Sequence, residues 1–133
     1  MKAAIVDYGL GNLYSISQAC RHVGVDSVVS SSRDDLEAAD VMILPGVGAF
    51  GTAMEALRRL DLVEPLRELA KSGKPTVGIC LGMQLLMDES REFGRHEGLG
   101  VVSGRVVPLW ENVPDGVKVP HTAWTGISPE TWE

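Results

Sequence analysis

Cysteine is scarce in this chain of 133 residues, which carries only Cys20 and Cys80. Their spacing fits neither a metal knuckle nor a redox pair, so no metal site is expected. The opening "MKAAIVDYGL" has a short apolar run and then Asp7, without the longer apolar stretch and cleavage site of an export signal. Free thiols without such a signal predict a reducing, cytoplasmic setting. No run of residues is long and apolar enough to suggest a membrane span. Positive charge is also in deficit: 12 Lys and Arg stand against 18 Asp and Glu, a formal net charge of −6. A nucleic-acid partner is therefore not expected, because phosphate neutralisation needs a basic surface. Internal repeats, low-complexity segments and interdomain linkers are absent, so residues 1–133 read as one domain.

What is present is a regular alternation. Hydrophobic residues make up 44% and charged residues 23%, the balance of a folded globular chain. "AAIVD" (3–7) is a continuous apolar run, as expected of a strand buried on both faces. Leu13, Ile16, Cys20 and Val23 then share one helical face, and Gly24 is placed to stop that helix. "VDSVVSS" reads as a weaker strand, "DDLEAAD" as one or two helical turns, and "VMIL" (41–44) as a third strand. Residues 52–72 are helical in pattern. Pro65 is expected to open a second helix at its first position, with Gly73 closing it. "PTVGIC" is a fourth strand and "LGMQLLMDES" the helix after it; "GVVSGRVVPL" and "VKVP" look strand-like. Strands alternating with helices predict a mainly parallel sheet covered on both faces. In such folds the site lies at the carboxyl ends of the strands. The loops "DYGLGN", "PGVG" and "CLG" leave those ends.

"GICLG" (78–82) places Cys80 between small residues, after a strand and before a helix. This is the form of a nucleophile elbow, a tight bend that projects a reactive side chain. The residues alone leave two readings open, a packed thiol at a turn or a nucleophile. As a nucleophile, Cys80 would be activated by the amino end of the following helix, and the Leu81 N–H would face a developing oxyanion. Glycines in "PGVG" (45–48) could expose a second oxyanion donor. Gln84, one helical turn after Cys80, could hold a substrate group. "DYGLGN" starts like a dinucleotide fingerprint, but Tyr14 stands where the third glycine belongs, and that reading is rejected.

Together, "DYGLGNLYS", "PGVGAFGTAM", "GICLGMQLL", "EGLGVVSGRVVPL" and "KVPH" resemble the class I (triad) glutamine amidotransferases from residue 3 to about residue 121. The resemblance is greatest to the branch that forms the glutaminase subunit of imidazole glycerol phosphate synthase in histidine biosynthesis. It implies a flavodoxin-like three-layer α/β sandwich with a mainly parallel sheet. It implies that Cys80 attacks glutamine through a thioester, with Gly48 and Leu81 as oxyanion donors and Gly46 and Gln84 at the substrate. It implies no cofactor and a (β/α)₈-barrel cyclase subunit as heterodimer partner, taking up the released ammonia. Asn12, Pro120, His121 and Trp124 fall where the family meets that partner.

The chain also departs from the family pattern. The His-x-Glu motif that completes the family's triad is not among these residues, and only Trp124 keeps register in the tail after His121. Of the three histidines, His22 suits a helix carboxyl end, His96 sits in the polar "SREFGRHEG", and His121 belongs to the partner-facing segment. None is expected to serve as general base. The chain therefore reads as a domain whose C-terminal part is missing or altered, with no turnover expected. Two alternatives are a partner-binding fragment without chemistry and a thiol sensor on a related fold.

Overall fold

A computed structural model describes residues 1–114, 116–120, 124 and 126. The chain runs β1 (Lys2–Val6), α1 (Leu13–His22), β2 (Asp26–Ser30), α2 (Arg33–Ala38), β3 (Val41–Leu44), α3 (Phe50–Arg59), α4 (Val63–Lys71) and β4 (Thr76–Gly78). It continues through α5 (Leu81–Leu85), β5 (Met87–Ser90), β6 (His96–Glu97), β7 (Val102–Val106) and a 3₁₀ turn at Leu109–Glu111. The first four strands form a parallel sheet in the order β2-β1-β3-β4. A smaller sheet, β6-β5-β7, pairs β5 antiparallel to β6 and parallel to β7.

Strand alternation divides the interior into two layers. Ala3, Ile5 and Ile43 face α1 and pack with its Cys20. Ala4, Val6, Met42 and Leu44 face the other way, onto Leu36, Phe50, Met54, Leu57, Leu66, Leu81 and Leu85. Two buried faces explain why β1 is apolar at every position from Ala3 to Val6 rather than at alternate ones. Each fully buried leucine or phenylalanine contributes about 1.5–3 kcal/mol of transfer free energy, so the larger layer carries most of the stability. This three-layer arrangement is the expected flavodoxin-like α/β fold. No helix among the described residues is long and apolar enough to cross a membrane.

The helix ends share one device. Gly24 and Gly73 take positive φ and close α1 and α4: Gly24 N–H donates to Arg21 and Val25 N–H to Cys20, then Gly73 to Ala70 and Lys74 to Leu69. These are Schellman closures, as the glycines predict. Asp61 (φ 54°) closes α3 in the same way, with Asp61 N–H on Arg58 and Leu62 N–H on Leu57. The break between α3 and α4 therefore falls before Pro65, which stands third in α4 rather than first. Its missing N–H costs nothing there, since the first-turn amides have no intrahelical acceptor.

Two expected elements are corrected. The helix expected over 81–90 ends at Leu85, and Met87–Ser90 is a strand. Carbonyls that a continuing helix would use are taken by the following loop: Leu99 N–H donates to Leu85, Val101 and Val102 to Leu86, and Gly98 to Asp88. Arg67 fixes that loop, donating at 2.9 Å to each of the Gly98 and Leu99 carbonyls. Tertiary pairing thus overrides local helix preference. "VKVP" (117–120) does not form a strand.

Candidate active site

The site is built where β1, β3 and β4 deliver their carboxyl ends side by side. Ile79 N–H donates to the Leu44 carbonyl at 3.0 Å, which ties the exit of β4 to that of β3. Cys80 follows at φ 56° and ψ −118°, outside the regions open to most L-residues. It is exposed, whereas Cys20 is buried. A strained, exposed cysteine at a strand-to-helix bend is an elbow, and strain of this kind persists only where the surroundings enforce it.

Those surroundings are glycines. A Cβ on Gly78 would stand 2.5 Å from the Met83 Cα, and one on Gly82 would overlap the Leu44 carbonyl oxygen. Gly46 is equally confined: a Cβ there would lie 2.6 Å from the Tyr8 hydroxyl and 2.9 Å from both Leu81 Cβ and Gly82 N. A Cβ on Gly11 would meet the Pro45 ring at 3.0 Å. "DYGLGN", "PGVG" and "GICLG" are therefore one interlocked structure, with the elbow backbone packed on that of "PGVG" and the Pro45 ring packed against Gly11. The Tyr8 hydroxyl, buried between them, donates to the Pro45 carbonyl at 2.7 Å. Burial first, and the neighbouring Cys80 second, push the Tyr8 phenol up to about 12.

The amides after the thiol divide by use. Gly82 N–H donates to Ile79, and Met83 and Gln84 N–H both turn to the Cys80 carbonyl. The Leu81 N–H has no backbone acceptor among the described residues. It is thus free for an external oxygen beside Cys80. The helix behind it is shorter than expected, at five residues.

The other expected site residues fall unevenly. Gly46 packs on the elbow, while Gly48, at φ 93°, is exposed and a Cβ on it would meet nothing within 4 Å. Gln84 is half-buried and opens into a cavity of about 370 Å³, lined also by Arg91, Glu92, Phe93, Val106 and Trp110. Arg91 and Glu92 are additions, from a stretch that reads only as polar in the sequence; the turn into β5 brings them to Gln84. Arg91 is paired with Glu89 at 3.4 Å, and Cys80 does not line this cavity. Asn12 has a structural use, its Oδ1 accepting from Ser15 N–H at 3.1 Å to cap α1. Pro120 and Trp124 are exposed, and His121 lies outside the described residues. His22 ends α1, and His96 lies across Gly51 of α3. Among the described residues no side chain is hydrogen-bonded to the Cys80 thiol, and no group of His, Cys, Asp and Glu is arranged to hold a metal ion.

Comparison with known proteins places this geometry in a class. Residues 4–125 match the model of the family "Glutamine amidotransferase class-I", and the chain belongs to that family. A crystal structure of a glutamine amidotransferase shares the fold, with a TM-score of 0.67 at 22% identity, over 78% of this chain and 55% of that one. Among curated proteins, the chain is 49% identical over 128 residues to imidazole glycerol phosphate synthase subunit HisH of Aquifex aeolicus. It is 48% identical over 122 residues to the HisH subunit of Sulfurimonas denitrificans, and 46% over 126 residues to that of Bacillus velezensis. These alignments take in 91–96% of this chain. The chain spans about three fifths of the length of these relatives, 59–60%.

Proposed function

We propose that this chain carries the thiol half of a glutaminase, the ammonia-producing subunit of imidazole glycerol phosphate synthase in histidine biosynthesis. Residues 1–133 belong to one amidotransferase domain in this reading, acting in the cytoplasm beside a (β/α)₈-barrel cyclase subunit as a heterodimer. The observation that carries it is Cys80 itself, exposed at positive φ beside an amide, that of Leu81, with no backbone acceptor among the described residues.

In the reaction, the Cys80 thiolate attacks the side-chain amide carbon of glutamine. The carbonyl electrons move onto oxygen, and the oxyanion accepts from the Leu81 and Gly48 N–H groups. Collapse re-forms the carbonyl and breaks the C–N bond, and the proton given up by the thiol passes to nitrogen, so that ammonia leaves. Water then cleaves the γ-glutamyl thioester to glutamate and restores the thiol. Gln84 and Gly46 position the amino acid, with Arg91 and Glu92 lining the cavity that Gln84 opens into. Asn12, Pro120, His121 and Trp124 are the residues this reading assigns to the interface with the barrel partner.

The test reads the bond to sulfur rather than turnover. A glutamine-shaped chloroketone should alkylate Cys80 well ahead of a chloroketone with an unrelated side chain, and buried Cys20 should stay unmodified. Equal rates with both reagents would rule the glutaminase reading out.

A further inference from the structure

Resting on the glutaminase reading above, we infer that Tyr8 is a positioning residue: its hydroxyl pins the root of the loop that carries the oxyanion donor Gly48. Tyr8 lies immediately beyond β1 and Asp7, 1% exposed, and reaches across to Pro45 at the end of β3. Proline offers a single backbone polar group, its carbonyl, and Tyr8 is the donor that satisfies it at 2.7 Å. The Pro45–Gly46 peptide is planar, so holding its oxygen also fixes the plane of the Gly46 amide. Gly46 has no slack on its other sides, where Leu81 and Gly82 of the elbow press on it. The phenol is thus the side-chain latch between the loop and the bend that holds the thiol. Gly48 follows two residues later, and a Cβ on it would meet nothing within 4 Å, so its placement rests on its two anchors, the root at Gly46 and buried Phe50 at the start of α3.

This matters because an oxyanion donor acts only within about 2.7–3.1 Å of the developing charge. Phenylalanine at position 8 would fill the same space but leave the Pro45 carbonyl buried without a donor, and the peptide plane free to turn. Tyr8 is not placed as a base for the thiol. Its proton is already committed to Pro45, and burial keeps the phenol protonated up to about 12. It remains a donor throughout the range in which a cysteine titrates.

The experiment compares wild type with Tyr8→Phe, reading alkylation of Cys80 by the glutamine-shaped chloroketone and by iodoacetamide. The chloroketone draws on the oxyanion site when its carbonyl takes up the sulfur, and iodoacetamide does not need it. The expected result is a loss of roughly tenfold or more in the limiting rate with chloroketone, with half-saturation unchanged. With iodoacetamide the two proteins should agree to within about a factor of two, since the thiol itself is untouched. Equal chloroketone rates in the two proteins, with glutamine selectivity intact, overturn the role of Tyr8 alone. Loss of that selectivity in wild type overturns the glutaminase reading and this inference with it. Should Tyr8→Phe not fold, 3-fluorotyrosine in a Tyr14→Phe chain labels position 8 alone, since the sequence has two tyrosines. Its fluorine resonance should move when Cys80 takes the chloroketone and stay in place with iodoacetamide; identical responses overturn the inference.

Discussion

The α-carbon of Gly82 rests against the carbonyl oxygen of Leu44, so that a methyl group added to Gly82 would occupy the same space. That oxygen is not free to swing away, because it also accepts from the Ile79 N–H at 3.0 Å. Gly82→Ala should therefore cost at least the upper part of the usual overpacking range, about 3 kcal/mol. Gly9→Ala is the contrast: a Cβ there meets nothing within 4 Å, and only its φ of 86° is unfavourable. It should cost about 1 kcal/mol. Urea denaturation of the two variants checks the order, and a Gly82→Ala protein as stable as Gly9→Ala would contradict the packing argument.

Cys80→Gly should be more stable than Cys80→Ala. Both remove the thiol, but alanine keeps an L-residue at φ 56° and glycine does not. Relief of this sparsely populated positive-φ conformation is worth about 1–3 kcal/mol, and the extra freedom of glycine in the unfolded chain takes back about 0.5–1 kcal/mol. A difference of about 0.5–2 kcal/mol in favour of glycine is expected from their chemical denaturation midpoints. Equal midpoints would mean that the bend is not strained.

Arg67 should matter more than the ion pair it makes. Its guanidinium reaches Glu64 at 2.7 Å, yet Glu64 is largely exposed, and Glu64→Gln should change stability by less than about 0.5 kcal/mol. Its two bonds to the Gly98 and Leu99 carbonyls hold the loop that ends α5. Arg67→Ala should cost about 2 kcal/mol. Arg67→Lys should recover less than half of that, since an ammonium cannot present the forked donors. Hydrogen exchange at Gly98 to Val102 would report the loosened loop directly.

Alkaline stability should carry the signature of Tyr8. The phenol keeps its proton to about 12 in the folded chain but ionises near its ordinary 10 once unfolded. Between those values the unfolded state has released a proton that the folded state retains, so stability falls as pH rises from about 10 towards 12. Below 10 the group is neutral in both states and adds no slope. Tyr8→Phe should flatten that decline relative to wild type in urea titrations at stepped pH. Parallel slopes would show that the phenol is not shielded.

Much of this arrangement is legible in the sequence because it is written in residue types with few other uses. The unbroken apolar run of β1 announces two buried faces, and Gly24 and Gly73 announce helix ends. Cys80 between Gly78 and Gly82 announces a bend. What is not legible depends on partners remote in the chain. Asp61 closes α3 without the glycine that marks the other two ends, so Pro65 draws attention to the wrong turn. Met87–Ser90 has helical neighbours and no β-branched residue, and becomes a strand because the 98–106 segment pairs with it. Arg91 and Glu92 reach the cavity beside Gln84 only through that strand, and so look like solvated charges in the sequence. Tyr8 looks like an ordinary core aromatic until Pro45 is brought to its hydroxyl.

The interlocking of Gly11, Pro45, Gly46 and Gly82 has a consequence for how this sequence can change. Each of the three glycines excludes a side chain because a neighbouring loop already fills the place where it would go, the Pro45 ring at Gly11, Tyr8 and the elbow at Gly46, and the Leu44 carbonyl at Gly82, so the allowed residue at one depends on the state of the rest. Substitutions here should be strongly non-additive, and a second replacement after a first disruptive one should cost much less than it does alone. A route to a different loop chemistry at this site therefore passes through replacement of all three loops together, since single steps meet a barrier that their neighbours impose.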